Sequence, residues 1–146
     1  MIKSNVMGVL YVTKALLPQM IERKSGHIIN VGSIAGKEAY PRGNVYCASK
    51  AAVERFTEGL RLDCNRYGIR VGAIHPGLVE TDFSNVRFKG DSERAAIVYA
   101  KLKALTAEDV AEAIHYMLSA PAHVTVADLT LLPTDQASAF VINRQP

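Results

Sequence analysis

Short β-rich runs alternate with helical stretches along this chain, and that alternation constrains its fold more than any other feature. Residues 27–31 (His-Ile-Ile-Asn-Val) lie between Gly26 and Gly32, residues 69–74 stop at Pro76-Gly77, and residues 126–132 form the last run. Residues 2–24 carry a rough helical stripe at Val6, Leu10, Ala15/Leu16 and Met20/Ile21, with Pro18 predicting a kink and Gly26 an end. Residues 44–67 read as the longest helix, because Ala48, Ala52, Phe56 and Leu60 step by four along one face before Gly68. Residues 77–91 are polar and irregular, and residues 92–103 and 107–119 read as two more helices. The second of these opens on a capping-box-like Thr106-Ala-Glu-Asp109. Strands separated by helices imply a parallel sheet built from crossover units. Such sheets place their sites at the carboxyl ends of the strands, here Ser33 and the loop of residues 76–81.

Composition narrows the function classes. The 146 residues form one domain, residues 1–146, and 49% apolar with 21% charged residues excludes a disordered chain. A net charge of +3, from scattered basic residues, gives no reason to expect nucleic acid. No apolar run approaches the ~18 residues of a membrane span. Lys3 followed by residues 6–12 faintly imitates a signal peptide, but Lys14 interrupts it and no cleavage site follows. Cys47 and Cys64 fall 17 positions apart in one predicted helix, so they cannot pair within it, and reduced thiols fit a cytoplasmic protein. The four histidines show no ligand spacing, so no metal is expected.

The sharpest chemical signal is Tyr46-Cys-Ala-Ser-Lys50. Tyrosine and lysine four apart on a helix share a face, and a nearby ammonium favours phenolate, which makes the tyrosine a usable acid or base. The spacing alone is weak, since six tyrosines and eight lysines yield about 0.3 such pairs by chance. Tyr99-Ala-Lys-Leu-Lys103 repeats it and reads as a solvated helix face. Context separates the two. Ser33 lies thirteen positions before Tyr46, at a strand end inside Asn30-Val-Gly-Ser-Ile-Ala-Gly36, whereas Val86 lies thirteen before Tyr99.

Ile28-Ile-Asn-Val-Gly-Ser33, Tyr46-x-x-x-Lys50 and Pro76-Gly77-x-x-x-Thr81, in that order, resemble the short-chain dehydrogenase/reductase family, and Asn5 in Ser4-Asn5-Val-Met-Gly8 matches the family's helix asparagine. The resemblance runs the length of the chain. It is closest to the branch of NADP-dependent 3-hydroxy acid (serine/allo-threonine) dehydrogenases, through Phe83-Ser-Asn-Val-Arg-Phe-Lys-Gly-Asp91, Leu105-Thr-Ala-Glu-Asp109, Leu132-Pro-Thr-Asp-Gln136 and Asn143-Arg-Gln145. It implies hydride transfer between NADP(H) and a small secondary alcohol or carbonyl, with NAD not excluded. Tyr46 would be the general acid or base, and Lys50 would lower the Tyr46 pKa and hold the nicotinamide ribose. Ser33 would hold the substrate oxygen, and Asn5 would place a relay water behind Lys50. Pro76, Gly77, Val79 and Thr81 would line the nicotinamide end. The resemblance also implies a homo-oligomer, dimer or tetramer, through residues 44–67 and the helix before them.

Each residue also has a plainer role. Ser33 can be a turn former, Asn5 a helix cap and Thr81 the cap of a short helical turn. His75 reads as positional and Cys47 as packing. Arg87 and Lys89 suit a substrate carboxylate, and equally suit a solvated loop.

One part of the family pattern does not occur. The sequence has no Gly-x-Gly, so the glycine-rich phosphate-binding turn is missing, along with the residue that chooses NAD or NADP. The expected fold is therefore α/β: an incomplete Rossmann-like, doubly wound parallel sheet with flanking helices and without its N-terminal phosphate-binding half. That half needs on the order of 60 residues. The first strand is expected to present an unpaired edge, the helices an uncovered apolar face, and the isolated chain weak or no turnover. The alternative is a non-catalytic protein that acts through its dimer-forming helices, paired with itself or with a full-length relative.

Overall fold

A computed structural model describes residues 1–87 and 90–144. The chain opens with a π-helical segment, Lys3–Met7, that runs directly into α1, Gly8–Glu22. Then follow β1 (Gly26–Val31), a 3-10 turn (Ile34–Gly36), α2 (Asn44–Cys64) and a second 3-10 turn (Asn65–Tyr67). The remaining elements are β2 (Ile69–Pro76), α3 (Phe83–Arg87), α4 (Ser92–Tyr99), α5 (Ala107–Ser119) and β3 (Asp128–Leu131).

The three strands form one parallel sheet in the order β1-β2-β3. Gly26 pairs with Ile69 and Val31 with Ile74, while Ala73 pairs with Asp128 and Pro76 with Leu131. The central strand is buried at every position except Arg70, as a strand covered on both faces must be. Val71 packs with Leu60 and Cys64 of α2, joined by Leu17, Met20 and Ile21 of α1. The next residue, Gly72, turns to the other face, where an added Cβ would stand 2.3 Å from the Val126 carbonyl oxygen and 3.2 Å from the Met117 methyl of α5. Helices therefore cover both faces of the sheet, the doubly wound arrangement.

Most boundaries follow local chemistry. The long helix ends at Cys64, three residues before the expected end, and the 3-10 turn that continues it is closed by Gly68 in the left-handed conformation (φ 69°). Thr106 and Asp109 complete the capping box of α5. Arg70 donates to the carbonyls of Ala120 and Val124 just past α5, and Arg144 donates to those of Ile97, Val98 and Ala100 at the end of α4.

Four more expectations are corrected. The first helix ends at Glu22 rather than running on to Gly26, with Lys24 in the left-handed conformation (φ 50°), and Gly26 instead opens β1 beneath the Met20 side chain. The helix expected over residues 92–103 stops at Tyr99, because Ala100 is extended and Lys101 has φ 60°. The stretch of residues 77–91 contains the short helix α3, and the last strand is shorter than expected.

Among the described residues, β1 has no second neighbour. Beside its free edge, Val9, Val12, Leu16, Met20 and Ile28 line an open groove of about 450 Å³. Tyr11, Val12 and Leu16 of α1 are exposed. The unpaired edge and uncovered apolar surface expected from the sequence are both present.

Candidate active site

The carboxyl end of β1 and the first turns of α2 meet at one place. Ser33 follows β1 with extended backbone and caps the 3-10 turn, its Oγ accepting from the Ala35 N–H at 3.1 Å. The same hydroxyl faces the Pro76 carbonyl oxygen at 3.5 Å, so the ends of β1 and β2 converge on it. Tyr46 and Lys50 lie one helical turn apart on α2, with Lys50 Nζ 5.9 Å from the Tyr46 ring centroid. Lys50 Nζ donates to the Val31 carbonyl at 3.0 Å, the last residue of β1. The Ser33 hydroxyl is near enough to the Tyr46 phenol to favour its ionised form. The structure thus brings Ser33, Tyr46 and Lys50 together, as their spacing predicts.

The electrostatics differ from the expectation. Burial pushes the Tyr46 hydroxyl above the usual tyrosine value, while the Ser33 hydroxyl and the Arg87 charge pull against it. Burial also lowers the Lys50 ammonium. The expected lowering of Tyr46 by Lys50 is therefore not the direction found, because the ammonium is engaged with a backbone carbonyl and the phenol is desolvated. Burial thus favours the neutral phenol over the phenolate.

Asn5 is not a helix cap. It lies within the π-helical segment, and its Nδ2 donates to Ser49 Oγ at 3.1 Å. The Ser49 hydroxyl in turn donates to the Tyr46 carbonyl at 2.7 Å. Asn5 thus reaches α2 beside Lys50, through a fully buried serine that the sequence reading did not single out. Below it, Asn30 Nδ2 donates to Thr57 Oγ1 at 2.8 Å, which fastens β1 to α2.

The loop after β2 is fixed mainly by backbone bonds. The Gly77 N–H donates to Leu131 and the Glu80 N–H to Leu105, both at 2.8 Å. The Leu78 N–H donates to the buried Gln136 Oε1 at 2.8 Å, and the Tyr99 hydroxyl donates to the Val79 carbonyl at 2.9 Å. Thr81 Oγ1 accepts from the Phe83 N–H at 3.3 Å and so caps α3, its plainer role. Tyr99 also corrects an expectation. It is not one of a Tyr–Lys pair on a solvated helix face, because α4 ends there and its hydroxyl is bound to Val79 and Ser84.

On the open side, the Phe83 ring lies 5.6 Å from that of Tyr46. The Arg87 guanidinium carbon stands 5.5 Å from the Tyr40 ring centroid. Arg87 acts electrostatically on both Tyr40 and Tyr46, which places it at this site. Phe88 and Lys89 lie outside the described residues, as does Gln145 of the tail. Cys47 is buried beside Tyr46 and unpaired, as a packing residue should be. Tyr40 and Ser49 escaped the sequence reading, and Tyr99 and Gln136 stand in it without these roles, because tertiary contacts alone supply them.

A parallel sheet with helices on both faces, and a serine, tyrosine and lysine gathered at a strand end, define a class. The chain belongs to the short chain dehydrogenase family, which residues 1–92 match. It is 49% identical over 147 residues to the NADP-dependent 3-hydroxy acid dehydrogenase YdfG of Escherichia coli strain K12, covering 99% of this chain and 59% of that protein. It is 47% identical to sulfoacetaldehyde reductase 2 of Chromohalobacter salexigens, covering 99% of this chain and 58% of that one. The closed form of serine dehydrogenase complexed with NADP+ superposes with a TM-score of 0.93 at 49% identity, covering 95% of this chain and 56% of that chain. The chain thus spans a little over half the length of these relatives.

Proposed function

We propose that this chain carries the catalytic centre of an NADP(H)-linked oxidoreductase acting on a small secondary alcohol or carbonyl, with a 3-hydroxy acid as the substrate class. The observation that carries the reading is the meeting of Ser33, Tyr46 and Lys50 at the end of β1. The likeness to an NADP-dependent 3-hydroxy acid dehydrogenase and to a serine dehydrogenase complexed with NADP+ supports it.

The donor set suits the nicotinamide end of the cofactor. Lys50 projects a cation at the strand end, and residues 76–81 present a polar loop beside it. Bound NADPH supplies the hydride. Ser33 and Tyr46 then hold the substrate oxygen from two sides, and Tyr46 gives it a proton. Lys50 would hold the ribose. Asn5, through Ser49, fixes the turn of α2 that carries both Tyr46 and Lys50, and would place a relay water behind Lys50. Pro76, Gly77, Val79 and Thr81 would frame the carboxamide, and Arg87 would grip the substrate carboxylate with two bonds.

This sequence holds no Gly-x-Gly, so the pyrophosphate lacks that anchor among its residues and cofactor affinity is expected to be low. The test mixes the purified chain with NADPH and a 3-oxo acid and follows NADPH consumption. Slow, Tyr46-dependent turnover is expected. Turnover that survives Tyr46→Phe overturns the assignment, and fast turnover overturns the need for the glycine-rich turn.

A second reading is favoured by the exposed Tyr11, Val12 and Leu16 of α1 and the free edge of β1. In it the chain pairs with another copy or with a full-length relative through α1 and α2 and does no chemistry. Light scattering and co-purification with a full-length relative distinguish the two.

A further inference from the structure

Three side chains far apart in the sequence converge between α2 and the sheet. Glu54 comes from α2, His75 from β2 and Asp128 from the first position of β3. One carboxylate oxygen from each acid and a ring nitrogen of His75 lie within 4.8 Å of one another. No ligand spacing links positions 54, 75 and 128, so the sequence alone points to no metal.

His75 is the anomaly. It is fully buried, and neither ring nitrogen has a hydrogen-bond partner. Nε2 stands 3.1 Å from Asp128 Oδ2, within ion-pair distance but misaligned for a hydrogen bond. Nδ1 is closed off by backbone, since an added Cβ on Gly32 would lie 2.6 Å from it. Nε2 is therefore the nitrogen aimed at the two carboxylates. A buried imidazole without a partner is uncommon and calls for a cause.

We propose that Glu54, His75 and Asp128 form a binding site for a divalent transition-metal ion of the zinc class. Two carboxylate oxygens and an imidazole nitrogen are donors zinc accepts, with a fourth position left to water. Bonds of about 2.0–2.2 Å require the three side chains to close in on the ion. Asp128 has room to do so, because its side chain is 46% exposed. A small cavity of about 110 Å³, lined by Glu54, Thr57, Arg61 and Asp128, adjoins the cluster.

Lys37 is the resident competitor. Its Nζ lies 2.9 Å from Asp128 Oδ2 and 3.3 Å from Glu54 Oε1, and Arg55 Nη2 takes the same Glu54 oxygen at 3.0 Å. These cations neutralise the acids but leave His75 unserved. An incoming ion must displace the Lys37 ammonium, whose side chain is already 32% exposed. The site thus favours the metal less than its ligands alone would, and removing Lys37 should reveal their full affinity.

The experiment is independent of the proposed catalysis. The full chain, stripped with chelator, is titrated with Zn²⁺ by calorimetry while its histidine ring ¹⁵N resonances are recorded. Stoichiometric, saturable binding with a shift of the His75 Nε2 resonance is expected. Lys37→Met should tighten binding, and Asp128→Asn, a partly exposed position that spares the fold, should weaken it by at least about tenfold. His75→Phe, with folding checked by circular dichroism, should abolish it. No saturable binding to the native chain overturns the proposal, even if Lys37→Met binds. Binding that persists in Asp128→Asn with an unmoved His75 resonance also overturns it, by placing the zinc on the exposed His115 or His123.

Discussion

Asn5 Nδ2 donates to Ser49 Oγ at 3.1 Å, so a residue in the π-helical segment before α1 holds the turn of α2 between Tyr46 and Lys50. Ser49 is fully buried, and its own proton goes to the Tyr46 carbonyl. Asn5→Ala leaves the serine oxygen without that donor. The expected cost is about 1 kcal/mol, read as a lower urea midpoint at unchanged slope. An unchanged midpoint would show that the bond holds nothing.

Tyr46→Phe removes the proposed proton donor and keeps the ring. Loss of general acid catalysis predicts a fall of roughly 10²- to 10⁴-fold in NADPH-dependent reduction, measured in a chain completed with a glycine-rich phosphate-binding half. Circular dichroism should not change.

The raised Tyr46 pKa also has a thermodynamic consequence. The folded chain keeps this proton to higher pH than the unfolded chain, so the unfolded chain ionises first. The stability so gained is complete below the ordinary tyrosine value of about 10 and is lost as pH rises through the folded value. Urea midpoints from pH 8 to pH 11 should therefore fall more steeply for the native chain than for Tyr46→Phe. Parallel curves would mean that the hydroxyl is not perturbed.

His27 behaves in the opposite sense. Burial, reinforced by the charge of Arg70, lowers its pKa, and its ring nitrogens have no hydrogen-bond partner. The folded state therefore resists protonation, and stability present above the unfolded value of about 6.5 falls as pH drops through the folded value. Between pH 7 and pH 5 the native chain should lose stability that His27→Gln retains. Equal losses in both proteins would assign the acid sensitivity elsewhere.

Local signals account for what the sequence revealed. The short β-rich runs, the Gly68 stop, the Thr106–Asp109 box and the order of Ser33, Tyr46 and Lys50 are each written within a few adjacent positions or in a fixed spacing. What it concealed depends on contacts between distant segments. Nothing near Ser49 announces Asn5, nothing near Leu78 announces Gln136, and Glu54, His75 and Asp128 meet only once the crossovers are made. The sign of the Tyr46 shift was missed for the same reason. Spacing puts Lys50 beside the ring, but only the folded chain shows its ammonium committed to Val31 and the phenol partly buried.

Thr57→Val tests the link between β1 and α2. Asn30 is buried, and its amide donates to Thr57 Oγ1 at 2.8 Å. Valine fills the same space but cannot accept the bond. A donor left unsatisfied in the core should cost about 1–3 kcal/mol, measured by urea denaturation. A cost near zero would mean that water reaches the amide.

Tyr99→Phe tests what holds the loop after β2. The Tyr99 hydroxyl donates to the Val79 carbonyl at 2.9 Å and accepts from Ser84 at 2.8 Å, so one side chain at the end of α4 ties down both the loop and α3. Phenylalanine keeps the packing and removes both bonds. A loss of about 1 kcal/mol confined to this region corresponds to roughly fivefold faster amide hydrogen exchange in the loop and α3, with β1 and α2 unaffected. If the loop carries the nicotinamide contacts, the same variant weakens NADP(H) binding and leaves the Tyr46 chemistry in place, which appears as a raised KM at unchanged kcat. Unaltered exchange in the loop would assign its order to Gln136 and Leu105 alone.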